Sequence, residues 1–236
     1  MPIVCYLAMT GAEFSVCGQL PAHIGWMACH FSPSGPGLSN IPKDLPENSV
    51  LLLDDSFPFH DHEPDCILEQ LQQTISDLKI KAVILDFQRE KNSDIQALVL
   101  LLHAKLPCPV VATPAYAKEQ MPVFLPPCPL HIPLEKHLAP YKGRQIWLDT
   151  TPLPMELTVT SQGTTYRTLQ TVPCPSKTHW DSTLYCNYEI TMESDRILFT
   201  LHRNHETFQK WLSHAESLGI TGIIGLYQEW KEKPPC

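Results

Sequence analysis

Two periodicities of apolar residues alternate along most of the chain. Short, almost continuous runs of Val, Ile and Leu are typical of parallel strands that are covered on both faces, because neither side of such a strand meets water. Segments in which apolar residues recur every three or four positions predict amphipathic helices. The continuous runs predict strands at 23–31, 49–55, 81–87, 108–114, 129–135, 144–150 and 220–227, with 3–9 as a candidate further strand and 11–20 as a candidate hairpin.

Three helices are predicted from the longer period, at 64–78, 94–106 and 205–218. Ser93 precedes the second helix and forms a predicted capping box with Gln96, in which each side chain accepts a hydrogen bond from the other residue's main chain. Asn204 is the predicted N-cap of the third helix. Gly219 follows that helix and favours the left-handed conformation that ends it.

The segment 155–201 departs from this alternation. Its apolar and polar residues alternate with a period of two, which is typical of half-buried antiparallel strands. Two hairpins are predicted, one turning at Gln162-Gly163 and the other near Ser194-Asp195. The final helix and strand follow directly, so the segment is interpreted as a β insertion.

The order of elements predicts an α/β fold. Strands and helices alternate over 49–114 as two βαβ units, which place their strands in a parallel sheet. Seven or eight such strands favour a small or incomplete (β/α)8 TIM barrel over the alternative, an open doubly wound sheet. Residues 31–48 and 115–128 are too rich in Pro and Gly for helices. We expect a single domain over 1–236 that contains the insertion.

Composition excludes several classes of function. The net charge is −8 and no basic run occurs, so no nucleic-acid partner is expected. No segment reaches the roughly 20 apolar residues of a membrane span. The N-terminus has no Lys or Arg before its apolar run, unlike a signal peptide. Nine cysteines without a C-x-x-C pair indicate reduced thiols, and together these features predict a cytoplasmic protein without a cofactor.

The stretch KAVILDFQ carries the main candidate site. Alternation along the strand places Ile84, Asp86 and Gln88 on one side and the apolar residues between them on the other. If that side faces the barrel interior, Asp86 and Gln88 line the C-terminal mouth, where barrel enzymes act. Glu135 is a candidate acid that reaches the mouth from another predicted strand end. The alternative is that acids at strand ends cap neighbouring loops and helices.

Further polar and aromatic residues lie at predicted strand ends or just beyond them. Carboxylates and amides there would bind ligand hydroxyls, and a tryptophan just past the last strand would stack on a sugar ring. The predicted ligand-binding residues are Asp55, Asp149, Tyr227, Gln228, Glu229 and Trp230, and His30 and Asp54 are the remaining candidates at strand ends.

The chain resembles glycoside hydrolase family 18, the chitinase family, and most of all its spore-germination and cortex-hydrolase type. The resemblance covers most of the chain as architecture and is most detailed over 184–227, which contains YCNYEITMESDRILFTLHRNHETFQKWLSHAESLGITGIIGLY. This segment is similar to that family's two strands, acid-rich turn, helix and final Gly-bearing strand. The resemblance implies a barrel that binds a carbohydrate or a similar small glycan ligand.

The family motif D-x-x-D-x-D-x-E is degenerate in this chain. Laid on KAVILDFQ, its four positions fall on Lys81, Ile84, Asp86 and Gln88, and only Asp86 agrees. In the family the final Glu protonates the glycosidic oxygen and the preceding Asp orients the substrate's acetamido group, which acts as nucleophile. Gln88 has no titrating proton, so general acid catalysis is lost at that position. The resemblance therefore predicts binding without the family's hydrolysis.

A second hypothesis involves a metal. His60 and His62 flank Asp61, and two histidines in this spacing bind metal in amidohydrolase-type hydrolases. Here they follow a strand by several residues and precede a helix, where Asp61 or Glu63 would be stabilised by the helix dipole. The competing interpretation is therefore a solvated lead into the helix with no metal. A third hypothesis is a non-catalytic intracellular scaffold.

Overall fold

The computed structural model of the chain describes residues 3–59, 63–171 and 178–230. Its centre is a closed barrel of eight parallel strands. Strands are numbered β1–β14 and helices α1–α6 in chain order. The barrel strands, in their order around the barrel, are β1 (Val4–Met9), β2 (Ile24–Phe31), β4 (Val50–Asp54), β5 (Ala82–Asp86), β6 (Val110–Ala112), β7 (Val123–Leu125), β8 (Ile146–Thr150) and β14 (Ile220–Leu226).

The first strand closes the barrel. It pairs in parallel with β2, where Leu7 is opposite Ile24, and with β14, where Val4 is opposite Gly222. A sheet closed in this way has no free edge. The prediction of a (β/α)8 barrel is confirmed, the candidate strand at 3–9 is part of it, and the open-sheet alternative is excluded.

Within the described residues, the barrel has fewer long crossover helices than the eight of a full (β/α)8 barrel. The loop after β2 carries only a short strand, β3 (Leu38–Ser39), and no helix lies between β6 and β7. Both observations agree with the Pro/Gly-rich composition of these loops. The helices are α1 (Gly11–Val16), α2 (Pro64–Leu78), α3 (Ser93–Lys105), α4 (Leu134–Leu138), α5 (His205–Ser217) and α6 (Tyr227–Trp230).

A separate antiparallel sheet lies between β8 and α5, as the two predicted hairpins require. Its strand order is β10-β9-β13-β12-β11. The turns fall between β9 and β10 and between β12 and β13, at the predicted positions. The strands are β9 (Met155–Thr160), β10 (Gly163–Thr168), β11 (His179–Asp181), β12 (Cys186–Met192) and β13 (Arg196–His202).

Inward-facing side chains fill the barrel. Tyr6 and Trp147 stack with ring centroids 5.5 Å apart, and Ile84 is fully buried beside them. A Cβ added at Gly222 would lie 2.5 Å from the Trp147 ring, so only glycine leaves room for that ring. The barrel is thus a packed core, and any ligand site must lie above it.

Two predicted elements are wrong. The strand predicted at 129–135 is a loop that leads into α4, and the sixth barrel strand is instead β7, which has only three residues. Proline lacks the N–H that a strand ladder needs, and prolines interrupt 129–135. The hairpin predicted at 11–20 is wrong because Thr10 and Glu13 form a capping box that begins α1.

The caps of the other helices are partly as predicted. Asn92, not Ser93, caps α3, and its side chain accepts hydrogen bonds from the main chain of the first turn. Gln96 donates instead to the Tyr116 carbonyl oxygen, so the predicted capping box is wrong. Asn204 caps α5 as predicted, and Gly219 has the left-handed φ of 86°.

Two further expectations concern the environment of the protein. Among the described residues, no helix is long and apolar enough to cross a membrane. Cys5 is disulfide-bonded, so the expectation that all cysteines are reduced is wrong at that position, whereas six others are free thiols. The cytoplasmic location stays a prediction.

Candidate functional site

The fourth barrel strand, β5, carries Asp86 at its C-terminal end. Ile84 belongs to the barrel filling, whereas Leu85 and Phe87 pack outside the barrel beneath the helices. Alternation with Ile84 therefore directs Asp86 toward the barrel axis, and the exposed Gln88 follows two residues later. Gln88 Nε2 donates a hydrogen bond of 3.0 Å to Asp86 Oδ1. The amide at the general-acid position thus binds the neighbouring carboxylate.

Neighbouring strands place further polar groups at the same level. Asp54 on β4 is in register with Asp86, and His30 on β2 is in register with Asp54. Asp54 Oδ1 accepts a 2.8 Å hydrogen bond from the Ser56 N–H, which orients its carboxylate. Three adjacent strands therefore present one imidazole and two carboxylates at the mouth.

These carboxylates act on one another electrostatically. Burial raises the pKa of Asp86, the hydrogen bond from Gln88 lowers it, and the charges of Asp54 and Asp55 raise it again. Like charges at short distance disfavour ionisation of both groups. The register that places Asp54 beside Asp86 brings these acids together, which the sequence alone does not show.

Asp149 on β8 belongs to the same cluster. Burial raises its pKa to about 7. The hydrogen bond of 2.7 Å that its Oδ1 accepts from the Thr150 N–H acts in the opposite direction and lowers the pKa. The charges of Asp86 and Glu229 raise it further. Glu229 Oε2 is buried without a hydrogen-bond partner among the described residues. We call Asp54, Asp86, Asp149 and Glu229 the acidic mouth.

Asp55 has a different environment. Its side chain is only 4% exposed, and its two oxygens accept hydrogen bonds from the main-chain N–H groups of Gln88 (3.0 Å) and Arg89 (2.9 Å). Both interactions fix the loop that follows β5. Asp55 therefore fits the alternative in which an acid at a strand end caps a neighbouring loop. Any effect of Asp55 on a ligand would be indirect, through the position of that loop.

The residues after the last strand form α6. The Tyr227 hydroxyl lies 3.3 Å from Cys17 Sγ, and Gln228 is exposed. Trp230 is 5% exposed and packs against Phe208 with ring centroids 4.7 Å apart. A buried indole has no free face for a sugar ring, so the prediction of a stacking platform at Trp230 is wrong.

Glu135 does not reach the mouth. It lies in the first turn of α4, not at a strand end, and its Oε1 is 2.7 Å from His214 Nε2 on α5. The prediction that it reaches the mouth from a different strand is wrong, because residues 129–135 form a loop and the start of α4. Glu135 instead joins two outer helices.

The candidate metal ligands His60, Asp61 and His62 lie outside the described residues. Within 3–59, 63–171 and 178–230, no group of three or more His, Cys, Asp or Glu residues has a geometry that holds a metal ion. The carboxylates of the acidic mouth therefore do not form such a group.

Comparisons with known proteins relate this fold to a family. No protein-family model matches the sequence, and no curated protein matches it. Solved structures do match over almost the whole chain. The spore cortex-lytic enzyme SleL of Bacillus cereus has 10% sequence identity and a TM-score of 0.58, with 98% of this chain and 73% of that chain covered.

Two plant proteins match similarly. A GH18 chitinase from Cycas revoluta, solved with (GlcNAc)3, has 8% identity and a TM-score of 0.56, covering 98% of this chain and 97% of that one. A chitinase-like agglutinin from Robinia pseudoacacia has 11% identity and a TM-score of 0.56, with 93% of each chain covered. The fold is therefore the family-18-like barrel that the resemblance predicted. At these identities the similarity concerns the fold.

Proposed function

We propose that the protein binds an N-acetylglucosamine-containing glycan at the acidic mouth and does not cleave it by the family mechanism. The observation that carries the proposal is the pairing of Gln88 with Asp86 at the end of the fourth strand, on a fold shared with chitinases. A carboxylate remains where the family orients its substrate, and an amide replaces the group that donates the proton.

Carboxylates at the mouth suit a polyhydroxylated ligand. An ionised carboxylate accepts several hydrogen bonds, and those from hydroxyl groups are strengthened by its charge. Asp54 and Asp86 each retain oxygen atoms beyond those engaged by Ser56 and Gln88. Their partial exposure leaves these oxygens accessible from the solvent side of the barrel.

An aromatic surface beside these acids supports the proposal. Phe57 follows β4, is 37% exposed and packs on the His30 ring with centroids 4.9 Å apart. Its free face offers an apolar contact for a sugar ring next to Asp54. Phe57 thereby takes the role that the buried Trp230 does not fulfil.

Similar proteins give this proposal its ligand class. The Cycas revoluta chitinase was solved with (GlcNAc)3 and with allosamidin, and the Robinia pseudoacacia protein is described as a chitinase-like agglutinin. We extend to this chain the binding of N-acetylglucosamine oligomers, while its changed motif argues against hydrolysis.

Isothermal titration with (GlcNAc)4 tests the proposal, with cellotetraose as the control sugar without acetamido groups. We expect saturable binding of (GlcNAc)4 that Phe57→Ala weakens at least fivefold. Asp44→Asn changes an exposed acid outside the mouth and is expected to leave binding unchanged. Absence of binding, or equal binding of both sugars, would contradict the proposed ligand class.

A further inference from the structure

A cavity lies behind the barrel wall, on the side of the antiparallel sheet. Its volume is about 240 Å³, and it is enclosed by the loop after β7, the end of β8 and the antiparallel sheet. Thr150 lines this cavity, whereas the preceding residue, Asp149, points to the opposite side of β8. The cavity is therefore separate from the acidic mouth.

Arg203, which follows β13, brings a positive charge to this cavity. Its Nε donates to the Tyr185 carbonyl oxygen at 3.0 Å and its Nη2 to the Leu184 carbonyl oxygen at 2.8 Å. The guanidinium also lies 4.9 Å from the centre of the Trp211 ring. Both hydrogen-bond acceptors are neutral, so these contacts orient the guanidinium without balancing its charge.

No carboxylate in the described part of the chain forms an ion pair with Arg203. Burial lowers its pKa to about 10, and the nearby titratable groups are the thiols of Cys128 and Cys186. Burial also raises the pKa of each thiol to about 11, so both are neutral at physiological pH. A partly buried cation without an anion is destabilising, and a bound anion would reduce that cost.

Trp211 supplies an independent sign of a missing acceptor. Its side chain lines the same cavity and is 2% exposed. The buried Nε1–H has no hydrogen-bond partner among the described residues. Leaving such a donor unsatisfied costs about 1–3 kcal/mol. The wall of one cavity thus holds a cation whose charge no described carboxylate balances and a hydrogen-bond donor without an acceptor.

We propose that this cavity binds a small molecule bearing a carboxylate. The carboxylate pairs with the Arg203 guanidinium, beside the Trp211 ring. Leu130, Met155 and Tyr166 also line the cavity and provide an apolar surface for the rest of the molecule. The volume of about 240 Å³ suits a small acid.

The surroundings favour a carboxylate over a phosphate. One guanidinium balances one negative charge, and a phosphate dianion would leave its second charge buried and uncompensated. The planar guanidinium also matches the geometry of a carboxylate. Benzoate is therefore the probe, benzamide is its neutral analogue, and inorganic phosphate tests the other class of anion.

The indole resonances of the 15N-labelled full chain provide the measurement, with the Trp211 signal assigned through Trp211→Phe. We expect benzoate to shift this signal in a saturable way and benzamide to leave it unchanged. Arg203→Met keeps the length of the stem and removes the charge, and it should weaken benzoate binding at least tenfold. Arg167→Met is the matched control, because Arg167 pairs with Glu156 on the exposed face of the sheet.

Three results would overturn the proposal: no benzoate-dependent shift at Trp211, an equal affinity for benzamide, or saturation by phosphate and not by benzoate. Arg203→Lys covers the case in which Arg203→Met does not fold. It retains the charge but not the planar fork, and we expect binding several-fold weaker than in the parent chain. An unchanged affinity in Arg203→Lys would likewise contradict the assigned contact.

Discussion

Gln88 Nε2, just beyond the end of β5, donates a 3.0 Å hydrogen bond to Oδ1 of Asp86, the last residue of that strand. The amide stabilises the ionised form of Asp86 against the burial and the neighbouring charges that raise its pKa. A glutamate at the same position would add another acid to this cluster. The hydrogen bond from Gln88 thus suits an Asp86 that binds a ligand as a carboxylate, and not an Asp–Glu pair that transfers protons.

We predict that the chain does not cleave N-acetylglucosamine-linked chromogenic substrates or chitin oligomers by the family mechanism. An amide cannot protonate a leaving group, and general acid catalysis contributes about 10²–10⁴-fold to a rate. The release of chromophore should equal the rate in buffer alone. Turnover that survives Asp86→Asn would place catalysis elsewhere in the chain.

Asp86→Asn is expected to weaken glycan binding and to leave stability nearly unchanged. Asparagine keeps the shape and retains an oxygen that accepts the Gln88 hydrogen bond, so the free energy of unfolding should change by less than about 1 kcal/mol. Thermal unfolding and (GlcNAc)4 titration measure the two effects. Asp86→Leu should fold only if water reaches the neighbouring polar groups. Unfolding of Asp86→Asn without ligand would show that Asp86 is a structural cap.

Asp55→Ala should destabilise the protein by about 3 kcal/mol. The substitution leaves two part-buried main-chain N–H groups without the charged acceptor that they have in the parent chain. Urea unfolding measures the loss, and Asp55→Asn, which keeps one carbonyl acceptor, should show a smaller one. Unchanged stability combined with lost glycan binding would instead indicate a direct contact with the ligand.

The pKa of about 7 at Asp149 predicts a pH-dependent stability. An unfolded aspartate titrates near 3.9, so between about pH 4 and 7 the folded state holds the proton more tightly than the unfolded state. Stability from this group is therefore lost as the pH rises through that window, by up to about 1.4 kcal/mol per unit. Asp149→Asn cannot ionise and should gain stability over the parent between pH 4.5 and 8. If the stabilities of the parent chain and Asp149→Asn, measured by urea unfolding, changed with pH in parallel, the raised pKa of Asp149 would be contradicted.

The segment with His60 and His62 leads to a prediction about metal content. If it is a solvated lead into α2, the purified protein should contain less than one equivalent of zinc, manganese or iron. Elemental analysis of the full chain measures this content. One metal per chain that is lost in His60→Ala would favour the metal-dependent hydrolase over the glycan-binding barrel.

Much of the barrel was predictable because burial on both faces leaves a direct signature in the sequence. The runs at 49–55 and 81–87 contain β4 and β5, and the inward direction of Asp86 followed from alternation with Ile84. β7 was missed because three residues between prolines are too few to form a pattern. The error then placed Glu135 at a strand end that does not exist.

The site was less predictable, since convergence depends on how strands are arranged around the barrel. Asp86 and Asp149 are far apart in sequence, and only closure of the barrel makes their charges interact. The burial of Trp230 depends on Phe208 in α5, which no local pattern shows. Arg203 and Trp211 were not singled out for the same reason. The capping box of Thr10 and Glu13, by contrast, was a readable local signal for α1.

Closure of the barrel through β1 has a consequence for synthesis on the ribosome. Until β14 has emerged, β1 and β8 each lack one neighbour and expose unpaired main-chain groups along an edge. Such edges can pair with other nascent chains. The vulnerable interval therefore lasts until residues 220–226 have left the exit tunnel, and substitutions that slow the docking of β14 should reduce the yield of folded protein more than its final stability.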